Sequence, residues 1–235
     1  MTYLLLKRGG LLILQQLSRI FQFCLDNGVT PDLWKVAFVT PISKRGDRTV
    51  PDNYRPVSLT SCVAKLMESC VKEEIWNFWC THDIIRSSQF GFVRGSSCSD
   101  QLLLFLEDIT KILDRGSCVD VIYLDFAKAF NSVPLKRLML KLSSMGIQGD
   151  ILSWIKSFLL DGSEQVCVSG RRSVPYCMAS GVPQGSILGP LVFIAFVNDI
   201  DENLNNSTIL KYADDIKLYQ EITHTNSQQC QANLQ

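Results

Sequence analysis

The first periodicity in the chain is helical. Leu14, Leu17, Ile20, Phe21, Cys24 and Leu25 recur at the spacing of one helix face, and Asn27-Gly28 supplies a stop. The run KVAFVTPI then reads as a strand, followed by the polar loop SKRGDRTVPDN. A second helix is expected from Thr60 or Ser61 to Cys80, with Val63, Leu66, Met67, Cys70, Val71 and Ile75 inward. A third, capped by Ser99 or Asp100, carries the stripe Leu102, Leu103, Leu106, Ile109 and Leu113 and ends before Gly116.

Beyond it the pattern becomes that of a sheet. VDVIYLDF predicts a buried strand of β-branched and aromatic residues. Pro134 and Gly146 bracket a further helix, and Asp150 to Leu160 forms another. EQVCVSGRRSVPYCMAS gives two strands around a basic turn, Pro190 opens a helix through LVFIAFVNDI, and ILKYADDIKLY is a hairpin. The sum is an α+β fold with an antiparallel sheet.

Composition narrows the partners. With 46% hydrophobic and 20% charged residues over 235 positions, the chain is an ordinary globular protein of one domain or two fused subdomains. Its formal net charge is zero, so any attraction to nucleic acid rests on local patches. Three stand out: Lys44, Arg45 and Arg48; Lys136, Arg137 and Lys141; and Arg171–Arg172. Nine cysteines without a CxxC pair and only two histidines offer no zinc site. The odd thiol count, with no secretory signal, points to an intracellular and not a secreted protein. The apolar start is broken by Lys7, Arg8, Gly9 and Gly10 before it could span a bilayer, so no membrane partner is expected.

The hairpin poses a chemical problem. Asp214 and Asp215 lie side by side between two apolar runs, where like charges repel and lose hydration. Asp125 ends the apolar run VIYL at a similar cost. If the 119–126 strand pairs beside the hairpin, the three carboxylates converge at one sheet edge, and magnesium would offset their charge. Two such ions, roughly 3.5–4 Å apart, activate a hydroxyl and stabilise a leaving phosphate oxygen. Taken alone, an Asp-Asp pair in a hairpin reads as a solvated turn. Its companions in the sequence decide.

VIYLDFAKAFNSVP, SGVPQGSILGPLVFIAFVNDI and YADDIKLY resemble the three palm motifs of reverse transcriptases. WKVAFVTPISKRGD, NYRPVSL and QFGFVRGSS resemble upstream motifs of the non-long-terminal-repeat (LINE-type, jockey-like) retrotransposon branch. Six motifs in family order cover the chain from about residue 10 to 220. The resemblance implies a polymerase right-hand fold. Residues 1–118 would be an N-terminal extension and fingers, and 119–235 a palm with an antiparallel sheet. The helical 134–161 segment would belong partly to the fingers. The palm would be incomplete at its C-terminus and the thumb missing.

The same resemblance implies the site. Asp125, Asp214, Asp215 and the Phe126 carbonyl would hold two Mg2+ ions, with Mn2+ as a substitute. Phe130 would be the steric gate against a ribose 2′-hydroxyl, since an apolar ring offers that hydroxyl neither partner nor volume. Lys44 and Arg55 would grip the nucleotide triphosphate. In GVPQG, Gln184 would bond the nucleotide and Gly185 would lie against the template–primer. That loop is neither a Walker loop nor a nucleophile elbow. Gln89, Phe92 and Arg94 would contact the template.

The implied partners are an RNA template, a DNA primer and deoxynucleoside triphosphates, and the implied location is the nucleus or cytoplasm. The reaction would be in-line attack of the primer 3′-hydroxyl on the α-phosphate. One departure is Asn131, where the family has Asp, which is expected to weaken the motif but not abolish it. Two other readings compete. One is a catalytically inactive, truncated remnant with at most weak nucleic-acid binding. The other is an RNA-dependent RNA polymerase, against which Phe130 speaks.

Overall fold

A computed structural model describes residues 8–126, 129–178, 180–183, 185–202, 204 and 206–222. Its elements run α1 (Gly10–Asp26), β1 (Val36–Ser43), β2 (Tyr54–Leu59), α2 (Cys62–Thr81), α3 (Cys98–Asp114), β3 (Cys118–Asp125), α4 (Leu135–Ser144) and α5 (Gly149–Leu159). They continue with β4 (Ser163–Val168), β5 (Arg171–Arg172), β6 (Tyr176–Cys177), α6 (Gly189–Phe196), β7 (Thr208–Tyr212) and β8 (Asp215–Ile222). The chain divides into two compact units that interleave along the sequence. Residues 1–82 and 130–193 form one, and 83–129 with 194–235 form the other. These bounds differ from a sequential division at residue 118.

In the first unit, β1 pairs antiparallel with β2 and parallel with β4, which turns back onto β5 and β6. The parallel rungs join Val36–Val39 with Ser163–Val166, so this sheet is mixed. β2 carries Pro56 and lies at the sheet edge, where a missing N–H breaks no ladder. Ser61 caps α2, its hydroxyl accepting from the Ala64 N–H at 3.4 Å. That helix buries Val63, Ala64, Met67, Glu68, Val71, Ile75, Trp76 and Trp79, while Leu66 and Cys70, expected inward, face out. In α1, Leu17 and Cys24 are buried, but Leu14 and Ile20 are exposed. Leu138, Leu142, Trp154 and Ile155 on α4 and α5 are wholly buried.

In the second unit, β3, β8 and β7 form an antiparallel sheet in that order. One face buries Leu210 and Tyr219 against Phe105 of α3; Ile209, Ile216 and Leu218 form a separate cluster, as the alternation of a strand requires. Ser97, not Ser99 or Asp100, caps α3, in a reciprocal box with Asp100. The buried face of α3 is Gln101, Phe105 and Ile112. The leucines 102, 103, 106 and 113 of the expected stripe are exposed, so the helix is rotated from that reading. β3 was expected to be buried but is an edge strand, with Tyr123 and Leu124 exposed. Among the described residues no helix is long and apolar enough to cross a membrane.

Candidate active site

The second unit brings the motif acids together. In the β3–β8 ladder Asp125 stands directly opposite Asp215, so both side chains lie on one face of the sheet. Tyr212 pairs with Asp215 across the hairpin, leaving Ala213 and Asp214 as its two-residue turn. Asp125 and Asp215 are exposed and Asp214 is half-buried. Among the described residues, no side-chain hydrogen bond or ion pair engages these three carboxylates. Their oxygens remain available to a ligand. An all-oxygen donor set with no imidazole or thiolate suits a hard divalent cation such as Mg2+ or Mn2+. Among the described residues, no three His, Cys, Asp or Glu side chains are already closed into a metal cage. The backbone supplies the convergence, and ligand binding would have to draw the carboxylates inward. Phe126, the fourth expected ligand through its carbonyl, follows Asp125 at the exposed end of β3.

The hairpin is braced from behind. Residues 88–90 run alongside β7: Lys211 N–H donates to Ser88 O at 2.7 Å, and Phe90 N–H donates to Lys211 O at 2.8 Å. Gln89 is 3% exposed, and its Oε1 accepts from the N–H groups of Gly91 (2.9 Å) and Ala213 (3.1 Å). The other expected template contacts, Phe92 and Arg94, are exposed. Lys211 is fully buried, its Nζ donating to Asn198 O at 3.1 Å and lying 3.4 Å from Asp201 Oδ2. Burial pushes the Lys211 ammonium below the usual lysine range, against the attraction of Asp201. Burial alone would push the Asp201 carboxyl up. The Ser88 hydroxyl at 2.7 Å, Lys211 and Arg86 together hold it below its usual range.

The first unit holds Lys44, Arg55, Phe130 and Gly185. Lys44 and Arg55 are exposed, Lys44 just beyond β1 and Arg55 on β2 opposite Ile42. Phe130 is half-buried and stacked on Phe193, ring centroids 4.6 Å apart. Its carbonyl accepts the Val182 N–H at 2.8 Å, which ties the motif around residue 130 to the GVPQG loop. Gly185 has a φ of +93°, and a Cβ there would fall 2.4 Å from Ser58 O, so the loop needs glycine on both counts. Gln184 lies outside the described residues.

Sequence reasoning missed what anchors this loop. Glu68, on α2, has no exposed surface, and its Oε2 accepts from Ser186 Oγ (2.6 Å), Ile187 N–H (2.7 Å) and Leu188 N–H (3.0 Å). The carboxylate therefore sits at the N-terminal end of α6, where the helix dipole favours negative charge. A signal was present. Glu68 occupies the apolar face defined by Ala64, Val71 and Ile75, at helical spacings of four, three and seven.

Residues 42–235 match the family model of reverse transcriptase (RNA-dependent DNA polymerase). The chain belongs to the reverse transcriptase family. It is 31% identical over 212 residues to the RNA-directed DNA polymerase from mobile element jockey of Drosophila melanogaster. It is 30% identical over 210 residues to the probable RNA-directed DNA polymerase from transposon BS of the same organism. Each match covers 86% of this chain and 23% of the relative, so the chain spans under a quarter of the length of these curated relatives. Among solved structures, telomerase from Candida tropicalis in complex with a TWJ fragment of telomeric RNA superposes with a TM-score of 0.63 at 11% identity. That match covers 94% of this chain and 41% of the telomerase chain, and it is a likeness of fold.

Proposed function

We propose that this chain is the polymerase domain of a non-long-terminal-repeat retrotransposon, adding deoxynucleotides to a primer 3′-hydroxyl on an RNA template. The observation that carries the reading is the Asp125–Asp215 rung with Asp214 in the adjoining turn. When bound by Asp125, Asp214, Asp215 and the Phe126 carbonyl, two Mg2+ or Mn2+ ions would supply Lewis-acid activation of the hydroxyl and charge neutralisation on the departing pyrophosphate.

The chain's own side chains divide the remaining work. Lys44 and Arg55, cationic and exposed, bind triphosphate oxygens. The Phe130 ring, backed by Phe193, rejects a ribose 2′-hydroxyl. Gln184 hydrogen-bonds the nucleotide, and Gly185 gives the template–primer close approach to backbone. Phe92 and Arg94 stack on and pair with single-stranded template. In the right-hand vocabulary, the β3-β8-β7 sheet is palm and the β1–β2 sheet belongs to the fingers. The second reading is a catalytically inactive remnant that binds nucleic acid weakly without extending a primer; Asn131 in place of the family Asp weakens the motif without deciding between the two.

Primer extension on poly(rA)/oligo(dT) with Mg2+, comparing this chain with Asp214→Ala, separates the readings. Incorporation lost in Asp214→Ala is expected. Incorporation that persists in the variant defeats the metal assignment. Template–primer binding with no incorporation by the wild type supports the remnant.

A further inference from the structure

We infer that Gln89 is a positioning residue that sets the conformation of the Asp214–Asp215 turn, not a template contact; its effect on catalysis rests on the polymerase reading above. A side chain 3% exposed has little surface to offer a nucleic acid. What it does touch is the turn itself.

Ala213 opens that turn with a φ of +59°, a left-handed conformation that a residue with a Cβ adopts only at a cost. Such a turn persists where its surroundings over-determine it. Three contacts do so. Ala213 is 4% exposed, so its N–H, outside the β7–β8 ladder, would be a buried donor without a partner, and Gln89 Oε1 accepts it. The same oxygen accepts the Gly91 N–H, so two donors converge on one oxygen and fix which way the amide faces. Gly91 in turn packs on the hairpin backbone: a Cβ there would lie 2.3 Å from Ala213 N and 2.7 Å from the Tyr212 carbonyl carbon. Residues 88–91 thus form a rigid clamp whose last contact lands one residue before Asp214.

The choice of residue fits its neighbourhood. A neutral amide oxygen accepts two N–H groups without adding a fourth negative charge beside Asp125, Asp214 and Asp215. A longer-range consequence follows from chain geometry. The Ala213 peptide orients Asp214 directly, so releasing it tilts a metal ligand without touching nucleotide or template.

The test uses this chain with Gln89→Met, which keeps length and removes the acceptor. Hydrogen–deuterium exchange at the Ala213 amide reads the clamp whether or not the chain polymerises. In the wild type this amide is expected to exchange as slowly as the β7–β8 ladder amides, and fast exchange there overturns the proposal even if no variant folds. Gln89→Met is expected to speed it roughly ten-fold. Unchanged exchange in Gln89→Met overturns the clamp.

In primer extension, Gln89→Met is expected to lower kcat about ten- to a hundred-fold. The Mg2+ concentration for half-maximal rate rises, with KM for nucleotide and Kd for template–primer within about two-fold of wild type. A raised template–primer Kd with kcat intact would make Gln89 a template contact after all. Faster exchange with kcat per folded molecule unchanged would reduce it to a structural residue. If the wild type extends no primer, the polymerase reading fails. The clamp is then judged by exchange and by Mn2+ binding, read from paramagnetic broadening of the Asp214 and Asp215 amides, which Gln89→Met is expected to weaken.

Discussion

Two buried polar side chains hold two motif loops, one with a carboxylate and the other with a neutral amide. In the first unit Glu68, an anion, gathers a hydroxyl and two backbone N–H groups at the start of α6. In the second, Gln89, a neutral amide, gathers two backbone N–H groups behind a turn that carries aspartates. The solution matches the local field. At a helix N-terminus a carboxylate is favoured by the dipole and by its three donors. Beside Asp214 and Asp215 it would be one anion too many. Loop position in both units is fixed by side-chain acceptors for backbone donors, and local electrostatics selects which acceptor serves.

The comparison can be sharpened from its largest expected effect downward. Asp215→Ala should lower incorporation at least about a thousand-fold, roughly 4 kcal/mol of transition-state stabilisation, while leaving the urea unfolding midpoint near wild type, because the carboxylate is exposed. Loss of fold together with activity would mean that the rung is structural.

Glu68→Ala should cost roughly 3 kcal/mol of stability, since it leaves several buried donors unpaired. Urea denaturation measures this, and Glu68→Gln should recover part of the loss. A cost below that of an ordinary surface change would break the comparison.

Gly91→Ala should cost about 1–3 kcal/mol by overpacking against the hairpin. Gly185→Ala should cost more than Gly91→Ala, because it adds a left-handed φ to a clash with Ser58 O. Thermal unfolding of the pair checks the order.

The smallest effect is acid lability. Asp201 has its folded pKa depressed, with burial opposed by the Ser88 hydroxyl, Lys211 and Arg86. Its contribution is therefore present above the ordinary aspartate pKa of about 3.9 and lost as pH falls through the lower folded value. Between pH 5 and pH 3, Asp201→Asn should lose less stability than wild type. Equal slopes would remove Asp201 as a source of acid sensitivity.

Elements with strong local signals were legible in the sequence. Helix α2 with its Ser61 cap, the α4 and α5 pair, the basic hairpin at Arg171–Arg172 and the 208–222 hairpin all formed where patterning placed them. What patterning could not supply was context. The leucines of α3 are so numerous that they drew the inward face to the wrong side, whereas tertiary contacts with Leu210 and Tyr219 select Phe105. No local pattern marks β2, because Pro56 argues against a strand unless that strand is an edge. The parallel β1–β4 pairing joins residues more than a hundred positions apart and leaves no local trace.

The site divides the same way. The Asp125–Asp215 meeting follows from two strand patterns and a guess at pairing, and the register now sets them face to face. Gln89 stands in a segment that resembles a template contact, and nothing local in the sequence shows that its side chain is 3% exposed. Only burial and a named acceptor geometry distinguish a clamp from a contact.

The outer margin of β3 hydrogen-bonds to nothing among the described residues, while the opposite margin of the same sheet is covered by residues 88–90. With Tyr123, Leu124 and Phe126 also exposed, that margin has the unpaired backbone and apolar surface that favour edge-to-edge pairing. Concentrated stocks of the isolated chain would therefore associate through it, and a lysine introduced at Tyr123 should keep them monodisperse.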